Sequence, residues 1–184
     1  NEKDWAVITT TAIQPMKFYD NENKKLPQNL EPRPQLELNE NDLLITRAGP
    51  RSRVGITCLI KKTRKRLLLC DKAYRIKFKQ NLISGSFFEI LLNSGEFLEK
   101  INEIKTGTSD SGLNLTMKRF SDLIIPLPSL KQQEQIVSQI EQGFSLIENT
   151  QNIVNSTLQT LQTMKMSVLK NAFEGKLVPQ DPND

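Results

Sequence analysis

Histidine is absent from this sequence of 184 residues. Its absence removes the commonest general base and the commonest metal ligand of proteins. Cysteine is scarce: Cys58 and Cys70 are too few for a disulfide framework. Both lie among residues typical of β-strands, where a buried free thiol is expected. The sequence therefore predicts a reduced protein with no catalytic centre, cofactor or metal ion of its own.

Long apolar runs are also missing. No stretch reaches the roughly 18 consecutive apolar residues that a membrane-spanning helix requires, so we expect no membrane span. The chain begins Asn1, Glu2, Lys3 with no initiator methionine and no apolar core of a signal peptide, which suggests a segment of a longer cytoplasmic protein. The composition, 37% hydrophobic and 25% charged, is ordinary for a folded protein.

Positive charge is concentrated in one part of the chain. Residues 46–79 contain twelve Lys or Arg residues and a single acid, Asp71, which is a net charge of 12 − 1 = +11. Residues 129–184, by contrast, contain four basic and six acidic residues. So dense a positive field is typical of proteins that bind polyphosphate such as DNA.

A hairpin with an arginine-rich loop is predicted near residue 50. Residues 43–47 and 54–60 have the composition of strands, and Gly49 and Pro50 between them indicate a turn. The loop carries the three candidates for contact with base edges, Arg47, Arg51 and Arg53. The planar guanidinium suits guanine edges or phosphate. A solvated hairpin tip is the alternative.

A second basic segment follows between two apolar runs. Five charges in six residues predict an exposed turn that contacts phosphate. The charged residues are Lys61, Lys62, Arg64, Lys65 and Arg66. The strand after it alternates, so that Tyr74, Ile76 and Phe78 share one face while basic residues occupy the other.

Residues 85–104 change to helical spacing and predict two helices, or one broken helix, with an apolar core face. Residues 105–114 then form a loop rich in glycine and hydroxyl groups, which can approach DNA closely. Its candidate DNA contacts are Lys105, Thr106, Thr108, Ser109 and Asn114. A flexible linker is the alternative.

One long helix is predicted over residues 129–173. Ser129 and Gln132 fit a capping box, and Gly175 suits a C-terminal cap. Apolar residues at alternating three- and four-residue spacing form a seam broken only by Gln151 and Lys165. The seam consists of Val137, Ile140, Phe144, Ile147, Val154, Leu158, Leu161, Val168 and Ala172. Such a seam predicts pairing with another helix.

Four stretches, residues 42–55, 113–115, 125–137 and 169–178, together resemble the specificity subunit of type I restriction-modification systems. The resemblance implies an α+β fold: a mixed α/β globular target recognition domain (1–128), one coiled-coil-forming spacer helix (129–175) and a tail (176–184). It also implies half of a subunit, whose two recognition domains would read a bipartite DNA site.

The partners that the resemblance implies are double-stranded DNA, modification (methyltransferase) subunits, a restriction subunit, and a second copy or the other half of the full subunit through the long helix. Methylation and cleavage would come from those partners. One alternative is a coiled-coil adaptor whose basic domain binds an acidic protein or a membrane surface. Another, a nuclease or methylase fragment, lacks the expected motifs.

Overall fold

Nine short strands precede the first α-helix in the computed structural model, which describes residues 4–177; a tenth strand lies between the second and third of four α-helices. The strands are β1 (Ala6–Ile8), β2 (Ile13–Gln14), β3 (Lys17–Phe18), β4 (Asn23–Lys25), β5 (Leu43–Thr46), β6 (Ala48–Gly49), β7 (Thr57–Leu59), β8 (Leu67–Leu68), β9 (Ala73–Ile76) and β10 (Leu113–Asn114). The α-helices are α1 (Gly85–Leu92), α2 (Gly95–Glu103), α3 (Met117–Ser121) and α4 (Leu130–Phe173). The predicted α+β class is confirmed.

Strand β5 is the centre of the globular part. It pairs antiparallel with β7, with Leu43 opposite Leu59, and with β9 on its other side. The predicted hairpin of residues 43–60 is therefore confirmed. Leu43 and Ile45 pack into one hydrophobic cluster and Leu44 into a second, so β5 is covered on both faces. Two-sided burial explains its unbroken apolar sequence.

A second sheet has the strand order β4-β1-β8. The sequence of residues 5–11 predicts a short strand, and the polar residues 21–25 predict an exposed loop. The strand is present as β1, but residues 21–25 contain strand β4. The loop prediction was wrong because β4 forms through backbone pairing, with Ala6 opposite Lys25. Polar side chains are common on edge strands. Because β4 has no alternating apolar residues, its sequence does not indicate a strand.

Helices α1 and α2 confirm the predicted break in the helical region. The Ser84 side chain caps α1 by accepting a hydrogen bond from the Phe87 N–H at 3.1 Å. Phe87 and Phe97, one from each helix, are buried in the cluster that also receives the predicted apolar face of β9.

Helix α4 begins and ends as its sequence predicts. The Gln132 side-chain oxygen accepts a hydrogen bond from the Ser129 N–H at 3.1 Å, which completes the capping box. At the other end Gly175 has φ +67°, and its N–H and that of Lys176 donate to the carbonyls of Ala172 and Asn171. This is a Schellman cap. The sequence also predicts that Pro179 and Pro182 prevent continuation of the helix, but both lie outside the described residues.

The described residues divide into two compact units, the first ending at Val137 and the second beginning at Ser138. The start of α4 thus belongs to the first unit. Val137, predicted as a seam residue that pairs with another helix, instead packs against the core of the first unit. The helix has 44 residues and is roughly 66 Å long. Over residues 4–177, no helix is both long and apolar enough to cross a membrane.

The seam beyond Val137 is largely uncovered within this chain. Ile140 is half-buried, Ala172 is exposed, and the six large members between them are between 49% and 55% exposed. These are Phe144, Ile147, Val154, Leu158, Leu161 and Val168.

The two thiols are free. Cys58 is buried in β7, as predicted, and burial together with the nearby Glu89 carboxylate raises its pKa to about 12. Cys70 is half-buried, and burial raises its pKa also. Both therefore remain protonated thiols at neutral pH, which makes them poor nucleophiles.

Candidate nucleic-acid interface

A short antiparallel ladder joins the arginine loop near residue 50 to the loop of residues 105–114, which the sequence predicted as separate DNA-binding segments. Strand β6, in the arginine loop, pairs with β10, so that Ala48 lies opposite Asn114 and Gly49 opposite Leu113. The Leu115 N–H also donates to the Arg47 carbonyl at 2.7 Å. Residues more than 60 positions apart thereby form one surface, and this surface is the candidate interface.

The loop of residues 106–114 is a closed hairpin. Thr106 and Asn114 exchange two backbone hydrogen bonds, of 2.8 and 2.7 Å. Gly107 has φ +141°, and a Cβ atom there would lie 2.7 Å from the Gly112 carbonyl oxygen. Only glycine fits this conformation without strain. The hairpin geometry argues against the alternative of a flexible linker.

Arg51 is connected to this hairpin by two hydrogen bonds to one residue. Its backbone N–H donates to the Asp110 carbonyl at 2.8 Å, and its Nε–H donates to Asp110 Oδ1 at 2.8 Å. Both side chains face solvent, with 55% of Arg51 and 80% of Asp110 exposed. The guanidinium is therefore accessible while its position is defined.

Lys105 holds the backbone of the arginine loop in place. Its Nζ donates to the Arg51 carbonyl at 3.1 Å and to the Asn102 side chain. Burial, with a smaller contribution from the Arg51 charge, lowers the pKa of Lys105. The structure therefore places this predicted DNA contact as a half-buried brace beneath the loop.

Arg47 lies at the base of the arginine loop. Its Nε–H donates to the Asp71 carbonyl at 2.6 Å, and its guanidinium carbon lies 5.2 Å from the centroid of the Tyr74 ring. Stacking of a guanidinium on an aromatic ring leaves its outer edge able to donate further hydrogen bonds. Arg47 and Tyr74 thus border the surface on the side of β9.

Arg53 does not lie on this surface, contrary to the prediction of base contact. Its guanidinium donates to Gln14 Oε1 at 3.0 Å, to the Ile13 carbonyl at 2.8 Å and to the Thr10 carbonyl. The side chain is half-buried, and burial lowers its pKa. The acceptors of the turn at residues 10–14 account for the inward orientation, because they occupy both terminal nitrogens.

The basic turn of residues 61–66 connects β7 to β8. Lys62 and Lys65 are exposed. Arg64 is half-buried and donates to the Asp4 carbonyl at 3.1 Å, while the Arg66 N–H donates to Glu37 Oε1 at 2.6 Å. The turn is thus held against the N-terminal part of the domain and not against the β6–β10 ladder.

Asp110 is the residue of this surface that the sequence prediction missed. The sequence of this loop gave Asp110 no role among the candidate DNA contacts. One signal was available: Asp110 is the only acid between Lys105 and Asn114, in a loop otherwise made of groups compatible with DNA. An acidic side chain repels phosphate, so its presence calls for a specific role. Among residues 4–177, no group of three or more His, Cys, Asp or Glu residues is arranged to hold a metal ion.

The architecture is that of an α+β domain with a basic surface loop, followed by a long helix with an apolar seam. The family described as the type I restriction modification DNA specificity domain matches residues 4–158, and the chain belongs to this family. The resemblance noted from the sequence is confirmed.

Curated relatives include the type I restriction enzyme EcoEI specificity subunit of Escherichia coli, 36% identical over 160 residues. That match covers 87% of this chain and 27% of the relative. The EcoKI specificity subunit of Escherichia coli strain K12 is 30% identical over 147 residues, covering 78% of this chain and 31% of the relative. The chain therefore spans less than a third of the length of these relatives.

A solved structure described as "Structural basis underlying complex assembly and conformational transition of the type I R-M system" has the same fold. The TM-score is 0.67 at 18% identity, covering 96% of this chain and 40% of that chain.

Proposed function

We propose that this chain recognises one half of a bipartite double-stranded DNA site as part of a type I specificity subunit. The observation that carries the proposal is the β6–β10 ladder, which combines the arginine loop and the hydroxyl-rich hairpin on one surface. The membership of the chain in a DNA specificity domain family supports it. An adaptor that binds acidic proteins or membranes receives no support from that family.

Different parts of the surface have different tasks. Arg47 and Arg51 contact base edges, because an Nε hydrogen bond positions each guanidinium. The Arg51 side chain is also 55% exposed. The hairpin lies in the groove, where small hydroxyl and amide groups can approach bases and sugars. The groups concerned are Thr106, Thr108, Ser109 and Asn114.

Two predicted DNA contacts receive structural tasks instead. Lys105 braces the Arg51 backbone, and Arg53 holds the turn at residues 10–14 against the hairpin of β5 and β7. The basic turn contributes contacts to phosphate, which raise affinity for all sequences alike. Lys61, Lys62, Lys65 and Arg66 are its exposed members.

The long helix acts as the spacer between two recognition domains. Its seam pairs antiparallel with the same helix of a second copy, or with the other half of a full-length subunit. The exposure of about half of each large seam residue beyond Ile140 supports this task, since such a stripe is costly to leave in water.

Catalysis belongs to other subunits in this proposal. Modification subunits methylate the DNA that the specificity subunit has located, and a restriction subunit cleaves it. The chain thus acts on DNA in the cytoplasm and contributes sequence selection without chemistry.

Selection from a library of duplexes with a randomised segment tests DNA recognition. Binding is measured at rising salt, with enriched and unselected duplexes in competition. We expect affinity for both to fall with salt while a preference for one enriched motif persists. Equal competition by all duplexes at every salt concentration would contradict the proposal.

Mapping of methylated sites, with the modification subunits present, tests the larger assembly. We expect methylation confined to one bipartite motif with a constant gap. Methylation unrelated to the motif enriched by this chain would exclude it as the recognition component.

A further inference from the structure

We infer that Asp110 is a specificity-determining positioning residue, which orients the Arg51 guanidinium so that one defined edge meets a guanine. The inference deepens the proposed function and rests on it. It concerns an acidic residue on a DNA-facing loop, where simple electrostatics favours a neutral or basic residue.

The two hydrogen bonds between these residues act together. The backbone bond from Arg51 N–H to the Asp110 carbonyl fixes how the two loops approach each other. The side-chain bond from Nε to Oδ1 then restricts the orientation of the guanidinium. An arginine fixed in this way loses less conformational entropy when it meets a base.

The bond between Asp110 and Nε also determines which edge of the Arg51 guanidinium remains available to a base. A guanidinium can present two parallel N–H groups through Nε and one terminal nitrogen, or through both terminal nitrogens. Asp110 occupies Nε, and across residues 4–177 the structure gives Nη1 and Nη2 of Arg51 no protein acceptor. The terminal edge is therefore the one offered to guanine O6 and N7.

A role of Asp110 in protein stability or in general affinity for DNA does not explain a negative charge at this position. Exposed ion pairs contribute little to stability, and this pair is mostly exposed. A carboxylate near DNA also repels phosphate and weakens binding to every sequence. What it can improve is the difference in affinity between a matching and a non-matching base pair.

Lys105 and Gly107 make the arrangement rigid enough for this role. The Lys105 ammonium holds the Arg51 carbonyl at 3.1 Å, and the tight turn at Gly107 closes the hairpin that carries Asp110. Arg51 is thus constrained at its N–H, its carbonyl and its Nε.

The test compares wild-type protein with Asp110→Ala, which removes both the charge and the oxygen that accepts the Arg51 Nε–H bond. The ligands are the duplex motif enriched from a randomised library and its single-base variants. We expect Asp110→Ala to bind unselected duplexes more tightly, because a negative charge is lost. Discrimination at one guanine position should fall roughly tenfold, the scale of one bidentate contact. Glu96→Ala is the matched control, because it removes the acid of another exposed pair, with Lys100.

Combination with Arg51→Ala separates orientation from a direct contact of Asp110. In the Arg51→Ala background, Asp110→Ala should leave base discrimination unchanged. A further loss in that background, or unchanged discrimination in the single variant, would overturn the inference.

Asp110→Glu provides a second variant that keeps the charge but moves the carboxylate by one methylene. We expect reduced discrimination without the gain in general affinity, and unchanged discrimination would again contradict the inference. If the wild-type protein prefers no sequence, the proposed function fails. If it has a preference that these substitutions leave intact, only the role of Asp110 fails.

Discussion

Gln133, in the first turn of α4, accepts a hydrogen bond from the Ser84 N–H at 2.8 Å through its side-chain oxygen. Its Nε2 group donates to the carbonyls of Leu82 and Pro128, both at 2.8 Å. The residue is fully buried. One amide side chain thus connects the start of the long helix to the N-cap of α1, with both its N–H donors and its oxygen hydrogen-bonded to backbone groups.

Gln133→Ala should lower the free energy of unfolding of the first unit by about 1–3 kcal/mol, because three backbone groups lose their partner. Chemical denaturation measures the change. Gln135→Ala, at an exposed position of the same helix, is the matched control and should stay within about 0.5 kcal/mol of wild type. Equal effects of the two substitutions would mean that the buried amide contributes nothing specific.

Arg53→Lys should destabilise the protein by about 1–3 kcal/mol, because an ammonium cannot reproduce the forked contacts to Gln14 and the Ile13 carbonyl. Thermal or chemical unfolding monitors this. Arg51→Lys, at an exposed position two residues earlier, should leave stability nearly unchanged and reduce base discrimination. A normal stability of Arg53→Lys together with lost discrimination would return Arg53 to the DNA-contacting set.

Lys62→Ala combined with Lys65→Ala should weaken binding to all duplexes alike. Each phosphate contact that is lost should reduce the slope of log affinity against log salt by about 1. Lys165→Ala with Lys170→Ala removes the same charge from α4 and serves as the control. A changed base preference with unchanged slope would show that the turn contacts bases instead.

Glu89→Gln should flatten the dependence of stability on pH. Burial raises the pKa of the Glu89 carboxyl above its ordinary value of 4.5, while the Leu59 N–H and the charge of Lys61 oppose the rise. Because the folded-state pKa is the higher one, the stabilising contribution of the protonated form is lost as pH rises from about 4.5 through the folded pKa.

Denaturation midpoints measured from pH 4 upward, at roughly half-unit steps, test this sign. Wild type should lose stability over that window relative to Glu89→Gln, whose amide oxygen can still accept the 2.6 Å bond from the Leu59 N–H. Glu99→Gln, at an exposed position on α2, should follow wild type. Parallel curves for all three proteins would contradict the buried-carboxylate account.

Leu158→Lys combined with Leu161→Lys should abolish self-association through α4 and leave the first unit folded, because two charges would enter the paired seam. Sedimentation or light scattering reports the mass, and circular dichroism reports the fold. Gln159→Lys with Gln162→Lys adds the same charge outside the seam and should preserve association. A monomeric wild-type protein at micromolar concentration would reject pairing between copies.

Local patterns in the sequence determined a large part of this protein. The break between α1 and α2, the hairpin of β5 and β7, the apolar face of β9 and both caps of α4 follow from neighbouring residues alone, because periodicity and capping are local properties. The exposed seam was likewise visible as a spacing of apolar residues. The family emerged from short stretches in a consistent order.

Only the tertiary structure decided which charged residues are exposed and which are held by the protein's own acceptors. Arg51 and Arg53 are equivalent in sequence, yet one faces solvent and the other is occupied by carbonyls some 40 residues away. Asp110 and Gln133 likewise bond to residues far away in the sequence. Asp110 accepts from Arg51, 59 positions away, and Gln133 accepts from Ser84, 49 positions away. Such hydrogen bonds leave no periodic trace in the sequence, because they depend on where the folded backbone places donors and acceptors.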